Sequence, residues 1–356
     1  MKLANQIVLE DLRAIAADLD KNSLKLLEGK TVLITGGAGF IGNYLVSILM
    51  HLNQTTLLKP ARVVAIDNFI TGSKKSLLDL EVYRKFELVD HDVSLPFQFR
   101  GKVDYVIHAA GIASPIYYKK YPVEAIEVST FGTKNFLELG RKKKIDSFLF
   151  FSTSEIYGDP DPRFIPTPET YRGNVSCIGP RSCYDESKRL GEALTMTYHQ
   201  HFKVPVKIIR PFNVFGPGMK YNDFRVIPAF LMSAIKDKPL CVHGDGSQTR
   251  TFCYITDAIV GILKVLLSDK SGEVYNVGND DNEIPMIKLA EGVTGLFNKK
   301  VQVDKIPYPA SYPADEPLRR CPDLTKIKTV LGYQPKVDLE TGLERLLAWY
   351  RSEYKL

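Results

Sequence analysis

The sequence predicts a doubly wound α/β fold: a parallel sheet with helices on both faces, joined to a smaller C-terminal α/β part. Three observations predict it. From residue 30 onward, short runs rich in Val, Ile, Leu and Phe alternate with helical patterns. Those runs are almost continuously apolar, as strands buried on both faces of a covered parallel sheet must be. The first run ends in a glycine-rich turn that opens a helix, the junction at which such sheets bind phosphate.

Residues 5–20 carry Val8, Leu12, Ile15 and Leu19 at 4-3-4 spacing, one apolar face of a helix. This helix precedes the first strand and makes residues 1–29 an N-terminal extension, packed on its own domain or on a partner subunit. The predicted strands are Thr31–Thr35, Arg62–Ile66, Phe86–Val89, Val103–Ile107, Ser147–Phe151, Val204–Ile209 and Glu273–Val277. Helical patterns occupy about 41–52, 122–142 and 184–202. Beyond about Arg210 the alternation weakens, and turn signals at Phe215-Gly216-Pro217-Gly218 and Gly244-Asp245-Gly246 interrupt it. Residues 339–350 form a last amphipathic helix with Asp338 as its N-cap. Residues 30–212 are therefore expected to bind a cofactor. Residues 213–356 are expected mainly to bind substrate, with segments around 245–278 returning to the first domain.

Composition narrows the class. Of 356 residues, 44% are apolar and 25% charged, which excludes a disordered, coiled-coil or fibrous chain. No apolar run reaches the length of a membrane span, and the N-terminus lacks the apolar core of a signal peptide. Cys177, Cys183, Cys241, Cys253 and Cys321 form no CxxC pair and no cluster with His. They read as reduced thiols of a cytoplasmic protein without a metal site. A net charge of +6 is modest and suits an anionic small substrate. The densest basic run, Arg141 to Lys144, ends a predicted helix, where cations complement the helix dipole. No nucleic-acid or membrane partner is expected.

The stretch from Thr31 to Gly42 is a strand, a glycine turn and a helix start. Gly36, Gly39 and Gly42 let the backbone approach a pyrophosphate, and Phe40 and Ile41 begin the helix whose free N–H groups face that anion. Asp67 ends the second strand, where a carboxylate accepts hydrogen bonds from a ribose diol and repels a 2′-phosphate. The expected cofactor is NAD in a Rossmann-type domain. Asn68 and Asp92 follow the second and third strands and are further candidates. Asp92 can accept from the adenine amino group, and it can equally cap its own loop.

Tyr184 and Lys188 form Tyr-x-x-x-Lys, which puts both side chains on one helix face. A nearby ammonium stabilises a phenolate and makes tyrosine a usable base. Thr153, at the end of the strand Ser147–Phe151, can hydrogen-bond the same substrate hydroxyl.

Together these residues resemble the extended short-chain dehydrogenase/reductase family, from Lys30 to about Tyr350. Within it, several stretches resemble the UDP-glucuronate decarboxylases. They are Thr153 to Pro160, Gly173 to Val175, Ile178 to Glu186, Gly244 to Tyr254 and Arg320 to Asp323. The resemblance implies an oxidation centre of Thr153, Tyr184 and Lys188, with Glu155 as an added acid/base group beside the sugar. It also implies that Tyr118, Ser154, Asn213, Arg225, Gln248, Arg250 and Arg320 hold the UDP-sugar. Arginine suits phosphate and carboxylate through its planar fork. The chain departs from the pattern at Gly111-Ile112, at Arg172 and at Cys177, changes expected near the cofactor or sugar pocket. The family's habit implies a homodimer through the helices near 122–142 and 184–202.

The implied activity is decarboxylation of UDP-glucuronate to UDP-xylose. A 4-epimerase and a 4,6-dehydratase share its first step. The dehydratase is disfavoured because Ser154 stands where that class carries an aspartate. A non-catalytic NAD-sensing protein is the remote alternative, and it has no need of Thr153, Tyr184 and Lys188 together.

Overall fold

The computed structural model describes residues 3–223, 225–281, 283–308 and 317–355. Its centre is a sheet of seven strands: β1 (Thr31–Thr35), β2 (Arg62–Asp67), β3 (Phe86–Asp90), β4 (Tyr105–His108), β5 (Ser147–Phe151), β6 (Val206–Pro211) and β7 (Glu273–Val277). All are parallel, in the order β7-β6-β5-β4-β1-β2-β3. Strand side chains alternate between faces. Accordingly Val32 and Ile34 of β1 enter one apolar core, and Leu33 enters the other. The chain builds outward from β1 to β3, then returns to β4 on the other side. The carboxyl ends of β1 and β4 therefore border a crevice, the usual ligand position in such sheets.

Each predicted strand exists, and two start later than expected. Asp104 caps the entry to β1, its carboxylate accepting from Thr31 N at 2.8 Å, so pairing in β4 begins at Tyr105. Pro205 has no N–H to donate, so β6 begins at Val206. The predicted helix at 122–142 is divided into Pro122–Glu127, a π-helical turn at Val128–Gly132, and Thr133–Lys143. Thr130 and Thr133 donate to the carbonyls four residues back, at 2.8 and 2.7 Å, back-bonding that bends helices. The last helix, Leu339–Tyr354, starts at Asp338, which accepts from Thr341 N at 2.8 Å.

The N-terminal helix, Leu3–Asp18, packs on its own chain, against helices Phe40–Thr55, Ile255–Leu267 and Leu339–Tyr354. Leu12, Ile15 and Leu19 are buried there, as their spacing predicts, while Val8 is half-buried. Buried Asp11 accepts hydrogen bonds from Tyr44 at 2.9 Å, Tyr254 at 3.1 Å and Arg345 at 2.8 Å. Burial raises its pKa against the pull of Arg345.

Beyond β6 the chain forms smaller sheets. Val214–Phe215 pairs with Cys253–Tyr254, and Leu240–His243 pairs with Val303–Ile306. Thr249–Arg250 lies between Ile284–Pro285 and Arg319–Arg320, with Arg250 and Arg320 as register partners. Two arginines seventy positions apart in sequence thus stand side by side. Among the described residues no helix is long and apolar enough to cross a membrane, and no cluster of His, Cys, Asp and Glu could hold a metal ion.

Candidate active site

The carboxyl ends of β1, β4 and β5 open into one cleft of about 2100 Å³. Its floor is the glycine turn. Gly36 has φ of +70°, and a Cβ there would lie 2.8 Å from the Ala110 backbone after β4. A Cβ on Gly42 would lie 2.0 Å from the Gly36 carbonyl oxygen. Both positions exclude any side chain, so the helix Phe40–Thr55 begins directly on the turn. Its N-cap, Gly39, has no side chain to occupy the first-turn N–H groups, which leaves them for an anion. Phe40 and Ile41 line the cleft beside them.

Asp67 closes this end of the cleft. Its carboxylate accepts from Ala38 N at 2.9 Å and Phe69 N at 2.7 Å, one bond on each oxygen. Each oxygen keeps a further lone pair, enough for a ribose diol. Burial pushes its pKa up, and the two backbone hydrogen bonds work against that. Asn68 also lines the cleft and donates to Asp92 at 3.1 Å. Asp92 itself does not line it. Its other oxygen accepts from Ser94 N at 2.9 Å and Ser94 Oγ at 2.7 Å, the loop-capping alternative.

Tyr184 and Lys188 lie in the first turns of helix Ser182–Phe202, both buried. Thr153, just after β5, has its hydroxyl near enough to the Tyr184 phenol to act on its pKa. The Tyr118 ring stacks on Tyr184 at 5.5 Å and 9°. Burial pushes Tyr184 up to about 12, while the neighbouring Thr153 hydroxyl and the charge of Arg225 pull it back. Burial lowers Lys188 to about 8. Its ammonium donates to the Phe151 carbonyl at 2.8 Å and sits over the Phe150 ring at 5.3 Å.

Ser154 and Glu155 follow in a single 3₁₀ turn that Thr153 caps. Glu155 is clamped by two buried arginines. Arg320 donates to both carboxylate oxygens, at 2.5 and 2.7 Å, and Arg181 pairs with one of them. Arg181 also reaches Asp185 at 3.4 Å. Arg250 lines the same wall, and its guanidinium donates to the carbonyls of Thr249, Pro317 and Leu318 at 2.8, 2.7 and 3.3 Å. Arg225 forks onto Asp223 at 3.0 and 2.6 Å. Gln248 accepts from Tyr308 at 2.8 Å, and Asn213 donates to the Thr251 carbonyl at 2.8 Å. All of these line the one cleft.

The model of the NAD dependent epimerase/dehydratase family matches residues 32–278, well over half of the chain. The chain belongs to that family. It is 41% identical over 324 residues to UDP-glucuronic acid decarboxylase 5 of Arabidopsis thaliana, covering 91% of this chain and 90% of that one. Among solved structures it is similar to a dTDP-glucose 4,6-dehydratase from Streptomyces venezuelae with NAD bound: TM-score 0.79, 26% identity, 91% of this chain and 98% of the other. It is also similar to a UDP-glucuronic acid 4-epimerase from Bacillus cereus, in complex with UDP-glucuronic acid and NAD: TM-score 0.74, 28% identity, 90% and 99% covered.

As a member of this epimerase/dehydratase family the chain takes NAD, and the side-chain-free glycine turn beside the Asp67 carboxylate has room and chemistry for it. Arg172 and Cys177 do not line the cleft, whereas Gly111 and Ile112 do. Sequence reading also missed Arg181. It lies inside the stretch Ile178 to Glu186, yet a lone arginine ahead of a helix looks like a surface residue. Only the fold turns it onto Glu155.

Proposed function

We propose that this protein decarboxylates UDP-glucuronate to UDP-xylose through a 4-keto intermediate. One observation carries the reading. An oxidation centre of Thr153, Tyr184 and Lys188 stands beside a carboxylate–arginine cluster of Glu155, Arg181 and Arg320. The plant relative named a UDP-glucuronic acid decarboxylase supports it.

The residues divide the work as follows. Tyr184, as phenolate, takes the proton of the sugar 4-OH, and Thr153 holds that hydroxyl in line. A bound NAD would supply the acceptor and later the donor of the C4 hydride, so the reaction would carry no net redox change. Lys188, buried below Tyr184, supplies positive charge where the phenolate forms. The 4-ketone is then β to the C6 carboxylate. The C5–C6 bond breaks, carbon dioxide leaves, and the electron pair remains as an enolate on the ketone oxygen. Arg320 and Arg181 orient carboxylate charge through the bidentate fork. Glu155 relays the proton that C5 takes up. Each acid–base group of this kind contributes roughly 10²–10⁴-fold.

Residues 30–212 together with β7 are taken as the NAD side, and most of 213–356 as the side that holds the UDP-sugar. Tyr118, Ser154, Asn213, Arg225, Gln248 and Arg250 are assigned to that substrate. The protein is placed in the cytoplasm as a homodimer. Val123, Ile126 and Phe131, with Leu190 on the neighbouring helix, are exposed apolar residues that a second copy would cover.

The 4-epimerase reading shares the oxidation step and is favoured by the likeness to the Bacillus cereus enzyme. Mass spectrometry of the products from UDP-glucuronate separates the two. UDP-pentose with one carbon dioxide per turnover is expected. UDP-galacturonate without carbon dioxide would make this a 4-epimerase.

A further inference from the structure

We infer that Lys220 is a latch that retains the dinucleotide between turnovers, by tying the loop over the glycine turn to the substrate-side wall. The inference rests on the NAD reading above. The loop in question runs from Asn68 to Ser73, directly after β2. It lies against the glycine turn: Ser73 N donates to the Ala38 carbonyl at 3.3 Å, and a Cβ on Gly72 would lie 2.9 Å from Ala38 Cβ. Its first residues are pinned by Asp67, which accepts from Phe69 N at 2.7 Å, and by Asn68, which accepts from Ile70 N at 3.3 Å. Phe69 is held at φ of 59°, a region that aromatic side chains seldom occupy. The loop therefore depends on its contacts to stay down.

At its tip, the Thr71 carbonyl accepts from Lys220 Nζ at 2.8 Å. The two residues are 149 positions apart in sequence, and both line the cleft. The ammonium also lies 6.0 Å from the Tyr117 ring. Lys220 itself stands on firm backing. Its carbonyl accepts from Tyr350 at 3.5 Å, and the next ring, Tyr221, packs edge-on against Tyr354 at 4.6 Å. Both tyrosines belong to the last helix, which Arg345 ties to Asp11 of the N-terminal helix. A dinucleotide held on the glycine turn would leave past residues 68–73, which the Lys220–Thr71 bond ties down. In a reaction that regenerates its cofactor, that departure is not part of the cycle, so the latch need not open for turnover.

The test measures release of bound NAD from the full-length protein, chased with excess fluorescent etheno-NAD. Lys220→Met should speed release roughly 10–100-fold, as expected for losing one charge-assisted hydrogen bond. Lys220→Arg, which can still reach a carbonyl, should stay within a few-fold of the parent. A role in general packing would not be rescued by arginine in this way. Unchanged release in Lys220→Met would overturn the latch. Hydrogen exchange on the unmodified protein supplies a second measurement should that variant fail to fold. NAD loading should protect residues 69–73 and 219–220 together, and independent exchange of the two segments would overturn the inference. An unmodified protein that binds no NAD at all would instead overturn the cofactor reading.

Discussion

Replacing Glu155 by Gln removes the charge at the centre of the arginine cluster while keeping the side chain's shape. Glu155 accepts two hydrogen bonds from Arg320 and pairs with Arg181. The two arginine side chains are only 6% and 8% exposed. After the change they lose the carboxylate they share, although Arg181 keeps Asp185 at 3.4 Å. Breaking a buried ion pair from one side costs about 3–5 kcal/mol. Glu155 retains 19% exposure, which places the cost at the lower end, ~3 kcal/mol. At roughly 2.1 cal/mol/K per residue, a chain of 356 residues unfolds with an entropy of roughly 0.75 kcal/mol/K. The expected fall in Tm is therefore about 4 °C. Calorimetry of the parent and Glu155→Gln at low and high salt measures it, and burial should make the fall insensitive to salt. The double variant Glu155→Gln/Arg320→Met should lose less than the sum of its singles, because the two residues are coupled. A fall under about 1 °C, or one that salt erases, refutes the assignment of Glu155 as the counter-ion of this cluster. The same variant should accumulate reduced cofactor, visible by its absorbance, because the steps after C4 oxidation slow.

Tyr184→Phe keeps the ring that stacks on Tyr118 and removes the base. Product formation should fall roughly 10²–10⁴-fold while bound NAD, measured after denaturation, is unchanged. Lys188→Met probes the buried cation through stability. Burial holds Lys188 near 8 against an ordinary value of 10.5, so the folded state resists the proton more than the unfolded chain does. That penalty is complete below pH 8, shrinks as pH rises from 8 to 10.5, and is gone above it. The variant should thus stabilise the NAD-free protein by about 1–3 kcal/mol at neutral pH, a gain that fades by pH 10.5, while turnover is lost. An equal gain at both pH values contradicts the charge argument. Asp67→Ala should weaken NAD binding roughly 10–100-fold in titration calorimetry and weaken NADP binding less. Tighter NADP than NAD binding by the parent protein would remove Asp67 from its role.

The sequence by itself determined the features whose physics is local. Almost continuous apolar runs made β1 to β7 legible, because a strand buried on both faces is largely apolar along its length. The glycine turn was legible because Gly42 answers a close approach to Gly36 within the same turn, although Gly36 itself answers the distant Ala110 backbone. Tyr184 and Lys188 share a helix face by the helical period alone, and Asp338 announces a helix start by its residue type. What the tertiary structure decided is the set of partners that meet across long separations. Asp11 finds Tyr44, Tyr254 and Arg345, which makes the N-terminal helix part of its own chain's core. The pairing of Thr249–Arg250 with Arg319–Arg320 sets Arg250 beside Arg320, and of these two only Arg320 reaches Glu155. Arg250 instead satisfies backbone carbonyls, and Asp92 caps its own loop. A charged side chain must find a partner before it can be buried, but its residue type does not say which one. Local spacing therefore fixes where Tyr184 and Lys188 point, whereas the partners of Arg181, Glu155 and Lys220 follow from which chain segments the sheet order brings into one cleft.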